Sequence, residues 1–61
     1  MLRFSISEPV EGSNEYDSYI IEASSRQQAI DYAKAKNPDA IIALMGTAGK
    51  IKPDQEVIHL A

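Results

Sequence analysis

The sequence predicts a small α+β domain of ββαββ order, a four-stranded, mainly antiparallel sheet with one helix packed on one face. Three observations carry that expectation. Apolar residues recur at every second position, first at Leu2, Phe4 and Ile6 and again at Tyr19, Ile21 and Ala23, which is the period of a strand with one buried face. Between Ser25 and Lys36 the spacing changes to Ala29, Ile30 and Ala33, the stripe of a helix lying on a surface. The three Pro and three Gly all fall outside these periodic stretches, where a chain turns.

In the first strand Leu2, Phe4 and Ile6 alternate with Arg3, Ser5 and Ser7. Glu8 and Pro9 are expected to end it, because Pro has no N–H for a ladder, and residues 10–15, with Gly12, Ser13 and Asn14 at their centre, read as a long hairpin loop. The second strand spans Tyr16–Ala23 and places Tyr19, Ile21 and Ala23 on one face, with Ser18, Ile20 and Glu22 on the other. Ile20 is then on the wrong side for a sheet covered on one face. Ser24 or Ser25 caps the helix, since each has a Gln three residues on, the spacing of a capping box. The helix runs to about Lys36, with Lys34 and Lys36 favouring its C-terminal dipole, and Asn37-Pro38 ends it.

Residues 40–45 form an unbroken apolar run, which suits a central strand covered on both faces. Residues 46–49 are turn chemistry, Lys50, Ile51 and Lys52 pair briefly, Pro53-Asp54 interrupts, and residues 56–60 form a last strand. The second half thus reads as a second strand pair.

At 61 residues the chain is expected to be one domain, residues 1–61, and a chain so short hides only about 60% of the surface its unfolded form exposes. Hydrophobic residues at 44% and charged ones at 25% are the balance of a soluble globular chain, too apolar for a disordered tail and too polar for a membrane protein. No apolar run approaches the roughly 18–20 residues of a membrane helix, and the start offers one Arg and no cleavable apolar stretch, so the expected setting is the cytoplasm. Zero Cys removes disulfides, thiolate metal sites and thiol catalysis; with one His, a zinc site lacks ligands, and no cofactor is expected.

Charge placement says more than the net value of -3. Glu8, Glu11, Glu15, Asp17 and Glu22 lie in a stretch from Phe4 to Ser25 that holds no base, whereas the chain from Arg26 onward is close to neutral. Nucleic acid is excluded as a partner, because phosphate binding needs clustered Lys and Arg. An acidic lobe instead attracts a basic protein surface, so these five acids are the candidate partner-binding residues. If Ile20 shares a patch with one face of the apolar run, represented by Ile42 and Leu44, that patch is a dimer interface, and a homodimer is the expected assembly.

Catalytic and ligand motifs fail one by one. Residues 46–50 end in Gly-Lys after an apolar strand, as a phosphate loop does, but Leu44 replaces its first Gly and Ile51 its Mg²⁺-binding hydroxyl. Glu11, Ser13, Glu15, Asp17 and Glu22 match the oxygen spacing of a calcium loop, yet Tyr16 stands where that loop needs Gly, and strand rather than helix follows. His59 alternates with Ile58 and Leu60 and has no nucleophile or orienting group in sequence, so it reads as a half-exposed strand residue and the chain as no enzyme.

The pattern formed by Ala23, Ser25, Gln28, Ala29, Ile30 and Ala33, preceded by a hairpin and followed by an apolar strand, resembles small phage-encoded inhibitors of host enzymes. Among these are the phage T7 inhibitor of bacterial RNA polymerase and some small anti-CRISPR proteins. The resemblance implies a non-catalytic protein that occupies a host enzyme's surface by shape and charge. It does not extend to the apolar residues 40–45, which stand where the T7 inhibitor has a charged strand. The hairpin followed by a helix is also similar to HicB-type antitoxin domains, though their Pro-Asp-Leu-Pro-Gly segment before the helix is missing here. A homodimeric structural or assembly protein is the competing reading.

Overall fold

In a computed structural model, residues 1–45 and 51–60 are described. The elements run β1 (Leu2–Pro9), β2 (Tyr16–Ala23), α1 (Arg26–Lys36), β3 (Ile41–Met45) and β4 (Val57–His59). The α+β class, the ββαββ order and the mainly antiparallel four-stranded sheet are as the periodicities predict, with strand order β3-β1-β2-β4. β1 pairs antiparallel with both β2 and β3, and β4 pairs parallel with β2.

The pleat sorts side chains as the alternation requires. Phe4 faces Ile21 and Ile6 faces Tyr19 across the β1–β2 ladder, and these four join Ala23, Ala29, Ala33 and Ala40 in the buried core beneath α1, with Ile42, Ile58 and Leu60 packed at its margin. Alanines on the buried side of the helix let its backbone approach the sheet closely. The opposite face carries rows read from the register: Met45, Arg3, Glu22 and His59 in one, Ala43, Ser5, Ile20 and Val57 in the next.

Backbone direction follows from two hydrogen bonds. The Ile20 N–H donates to the Glu56 carbonyl at 2.9 Å and the Leu60 N–H to the Glu22 carbonyl at 2.8 Å, so the even residues of β2 turn their backbone toward β4 and the odd ones toward β1. Alternation then sends the backbones of Leu2, Phe4, Ile6 and Glu8 toward β2, and those of Arg3, Ser5 and Ser7 toward β3. By the same rule Ile41, Ala43 and Met45 bond inward to β1, while Ile42 and Leu44 direct theirs outward.

Several expectations change. β1 continues through Glu8 and Pro9, which pair with Asp17 and Tyr16. Pro9 lies beyond the end of β3, so its missing N–H falls on a side where no described strand pairs. Residues 41–45 form an edge strand, not a central one, and β3 and β4 lie on opposite edges instead of forming a pair. Ile51 and Lys52 belong to no strand. The expected turn at residues 46–49 and the pairing of Lys50 lie outside the described residues.

The hairpin closes through a turn in which the Ser13 N–H donates to the Val10 carbonyl at 3.1 Å. Gly12 sits at its third position with φ 79, a conformation that a side chain disfavours. At the helix start Ser25 is the cap, its hydroxyl accepting from the Gln28 N–H at 3.2 Å. Gln28 also accepts from the Ser24 N–H at 2.8 Å and donates to the Leu60 carbonyl at 3.2 Å. One amide thus ties the helix start to the chain after β4.

Tyr19 is 3% exposed, and no described group lies in hydrogen-bond geometry with its hydroxyl. Burial pushes the phenol up to about 12, and the nearby Glu8 carboxylate adds to the rise. The Lys36 ammonium lies 4.4 Å from the centre of its ring, a cation–π contact pinning the last helical turn to the sheet.

Two outcomes are expected in urea or thermal melts. Ser25→Ala costs about 1 kcal/mol, the usual loss of an N-cap, and Ser24→Ala costs much less, because only the backbone of Ser24 is used. Tyr19→Phe is at least as stable as the parent and up to about 1 kcal/mol more so, since it removes a buried hydroxyl that lacks a partner. Because burial penalises the ionised phenol in the folded state, stability falls as pH rises from the ordinary pKa of 10.0 through about 12; alkaline loss of stability over that range is therefore smaller in Tyr19→Phe.

Candidate functional site

The five acids that the sequence groups together do not share one surface. Glu8 lies on the helix face with its side chain 14% exposed, and the Lys36 ammonium stands 3.5 Å from its carboxylate. Asp17 is its cross-strand neighbour on the same face and is exposed. Two like charges in that position repel, and Lys36 offsets the repulsion from the Glu8 side. Glu11 and Glu15 are exposed in the hairpin loop, where the Glu15 N–H donates to the Ser13 hydroxyl at 3.1 Å. Glu11, Glu15 and Asp17 take part in no ion pair among the described residues.

Glu22 is drawn into the fold. It is 8% exposed, on the face away from the helix and near the far end of β2 from the loop. Arg3 Nε donates to its Oε2 at 2.8 Å, and His59 Nδ1 lies 2.6 Å from its Oε1. The hydrogen bond from Arg3, then the charges of His59 and Arg3, hold the Glu22 carboxyl below the usual carboxylate value, and burial only partly opposes them. Each oxygen is thus satisfied by a different strand, and the cluster stitches β1, β2 and β4 together.

Glu22 is accordingly set apart from the hairpin acids as a contact residue, and the calcium-loop spacing from Glu11 to Glu22 does not converge in space. The sequence alternation already places Glu22 opposite the apolar side of β2; the partners that occupy it become visible only with the strand order. The hairpin gains a different neighbour. Asp39, after the helix, shares with Glu11, Pro9 and Asn37 an open cleft of about 410 Å³ at the hairpin base. Asp39 is exposed, and its backbone N–H donates to the Asn37 side chain at 2.9 Å.

The residues set down for a dimer interface divide between faces. Ile20 is 5% exposed within the single chain and lies between Ser5 and Val57 on the face away from the helix. Ile42 and Leu44 are aligned with Ile6 and Phe4 and so belong to the helix face, Ile42 half-buried and Leu44 61% exposed. The three cannot form one patch: the pleat separates them, and Ile20 is already covered by its own chain.

His59 has an orienting carboxylate in Glu22, which the sequence did not reveal. Among the described residues no hydroxyl is hydrogen-bonded to the imidazole, and no group of three or more His, Asp or Glu is placed to hold a metal ion. Among the described residues no helix is long and apolar enough to cross a membrane. The arrangement offers an exposed negative loop beside a cleft, held by a sheet that spends its other acids internally.

Because the Glu22 carboxyl is depressed in the folded state, its stabilisation is complete above the ordinary value of 4.5 and is lost as pH falls through the folded value. Glu22→Gln therefore lowers stability at neutral pH and flattens the acid limb of a plot of urea midpoint against pH. An acid limb unchanged in slope would mean that the cluster does not couple to folding.

No protein-family model, curated protein or solved structure matches this chain.

Proposed function

We propose that the chain is a non-catalytic protein-binding module that docks its β1–β2 hairpin against a basic surface of another protein, and that it acts as an inhibitor of a host enzyme in the manner of small phage proteins. One observation carries this reading. Glu11, Glu15 and Asp17 are exposed and unpaired among the described residues, although Arg26 and Lys34, which form no ion pair among those residues, are present elsewhere on a chain of this size. Glu8 and Glu22 are compensated by bases that sit beside them. Three uncompensated carboxylates on a hairpin steer encounter with positive charge and reject acidic surfaces. Asp39 extends the same field across the cleft. A chain without Cys suits the cytoplasm, where such a target enzyme works.

The test is to immobilise the chain and collect proteins from a bacterial lysate at low and at high salt. Basic proteins are retained at low salt and released as ionic strength rises. Reversal of Glu11, Glu15 and Asp17 to Lys abolishes their capture and slows association with an isolated partner by about tenfold or more, with the fold intact by circular dichroism. Equal capture by the reversed variant would remove the hairpin from the binding surface.

A further inference from the structure

The two edges of the sheet are built differently. The β4 edge is short, covering Val57–His59, and is flanked by exposed Glu56 with exposed His59 at its end. Short strands and charged side chains are the usual protection of a sheet edge. The β3 edge, Ile41–Met45, is five residues of IIALM with no charge, no Pro and two largely exposed apolar side chains, Ile41 at 57% and Leu44 at 61%. Backbone alternation turns the N–H and C=O groups of Ile42 and Leu44 away from β1, and among the described residues no strand pairs on that side. Among the described residues nothing protects this edge in the ways proteins use, and it presents ladder positions spaced for another strand.

We propose that β3 pairs with β3 of a second copy of the chain, antiparallel about a two-fold axis passing by Ala43. In that register Ile42 of one protomer exchanges both backbone hydrogen bonds with Leu44 of its partner, and Leu44 with Ile42, so the groups left outward in each copy satisfy each other. Leu44 packs beside Ile42 of the other copy on the helix face. Ile41 meets Met45 on the opposite face, and Ala43 lies against Ala43, where small side chains let the strands close.

Charge placement selects both the occupant and its direction. A neutral strand offers no handle to a charged peptide but matches itself. The Ile41 end of β3 carries exposed Asp39 and lies at the acidic hairpin end of the sheet, whereas the Met45 end adjoins Arg3, whose charge is already met by Glu22. Antiparallel pairing keeps the two acidic ends apart and sends the two hairpins to opposite ends of the joined sheet. Parallel pairing would set Asp39 beside Asp39 and hairpin beside hairpin. Because the β4 edge is guarded, growth stops at two copies and the assembly closes. The resulting dimer displays two acidic hairpins that face away from each other. This inference does not rest on what the hairpins bind.

A pair of five-residue strands covers less than the roughly 1,200–2,000 Å² of a standard stable interface, so the dimer is reversible and its mass depends on concentration. Sedimentation equilibrium of the full chain from about 10 μM to about 1 mM is expected to show mass rising from 6.7 kDa toward twice that value. Over the same range, amide exchange by NMR slows selectively at Ile42 and Leu44, while the amides of Ala43 and Met45 are protected at every concentration. Leu44→Pro deletes an outward N–H without touching the ladder to β1, and Leu44→Lys places a charge at an exposed position; each holds the mass at 6.7 kDa. Charge reversal at Glu11, Glu15 and Asp17 leaves the dimer in place, which separates this proposal from the hairpin reading. A mass of one chain throughout, growth beyond two copies, a dimer that survives a folded Leu44→Lys, or a dimer with freely exchanging Ile42 and Leu44 amides would each overturn the proposal.

Discussion

The ladder between β1 and β2 governs the molecule. Eight consecutive pairs, from Leu2 against Ala23 to Pro9 against Tyr16, fix which side chains of both strands lie beneath the helix. Every apolar position of β1 depends on that register, and a slip of one residue would turn Phe4 and Ile6 to solvent and bring Arg3 and Ser5 under α1. The helix depends on the same choice, because its alanine stripe is too short and too small to hold it in isolation. β3 and β4 then attach to the outer sides of a platform already defined. Ion pairs and caps refine this arrangement, and the Arg3, Glu22 and His59 cluster exists only because the register sets its members in one row.

The elements with a clear period were legible from the residues. Strands β1 and β2, the helix with its cap narrowed to Ser24 or Ser25, and the apolar sidedness of each follow from spacings of two and three to four. Strand order was not legible, since a period says which face is buried but not which neighbour lies alongside. The run at residues 40–45 illustrates the limit. A continuous apolar strand is the mark of burial on both faces, yet here it forms an edge, and its lack of alternation reflects an exposed apolar side rather than a covered one. Pro9 departs from expectation for a related reason: whether a proline breaks a ladder depends on whether a strand lies on the side its nitrogen faces, and β3 ends before reaching it.

The acidic lobe was legible as a count and not as a surface. Five acids without a base in a continuous stretch suggest one field, but sheet geometry distributes them. Glu8 turns under the helix end and meets Lys36 from a distant part of the chain, and Glu22 turns to the opposite face and meets Arg3 and His59. What remains outward is the loop and the start of β2. Pairing partners that lie far away in sequence decide which acids keep their charge for the exterior, and a linear reading cannot assign them.

The bond from the Gln28 side chain to the Leu60 carbonyl spans 32 residues, and that separation has a kinetic meaning. The β1–β2 hairpin is local and closes on the microsecond scale of such turns, about 1–10 μs. Docking of the chain around β4 must wait for a much longer loop to close, and such non-local contacts slow folding far more than they alter stability. On these timescales the hairpin and helix are expected to form before the C-terminal segment docks. Loss of the bond to the Leu60 carbonyl alone, with the helix start kept intact, is then expected to speed unfolding more than it slows folding, which ties the lifetime of the native state to the last strand.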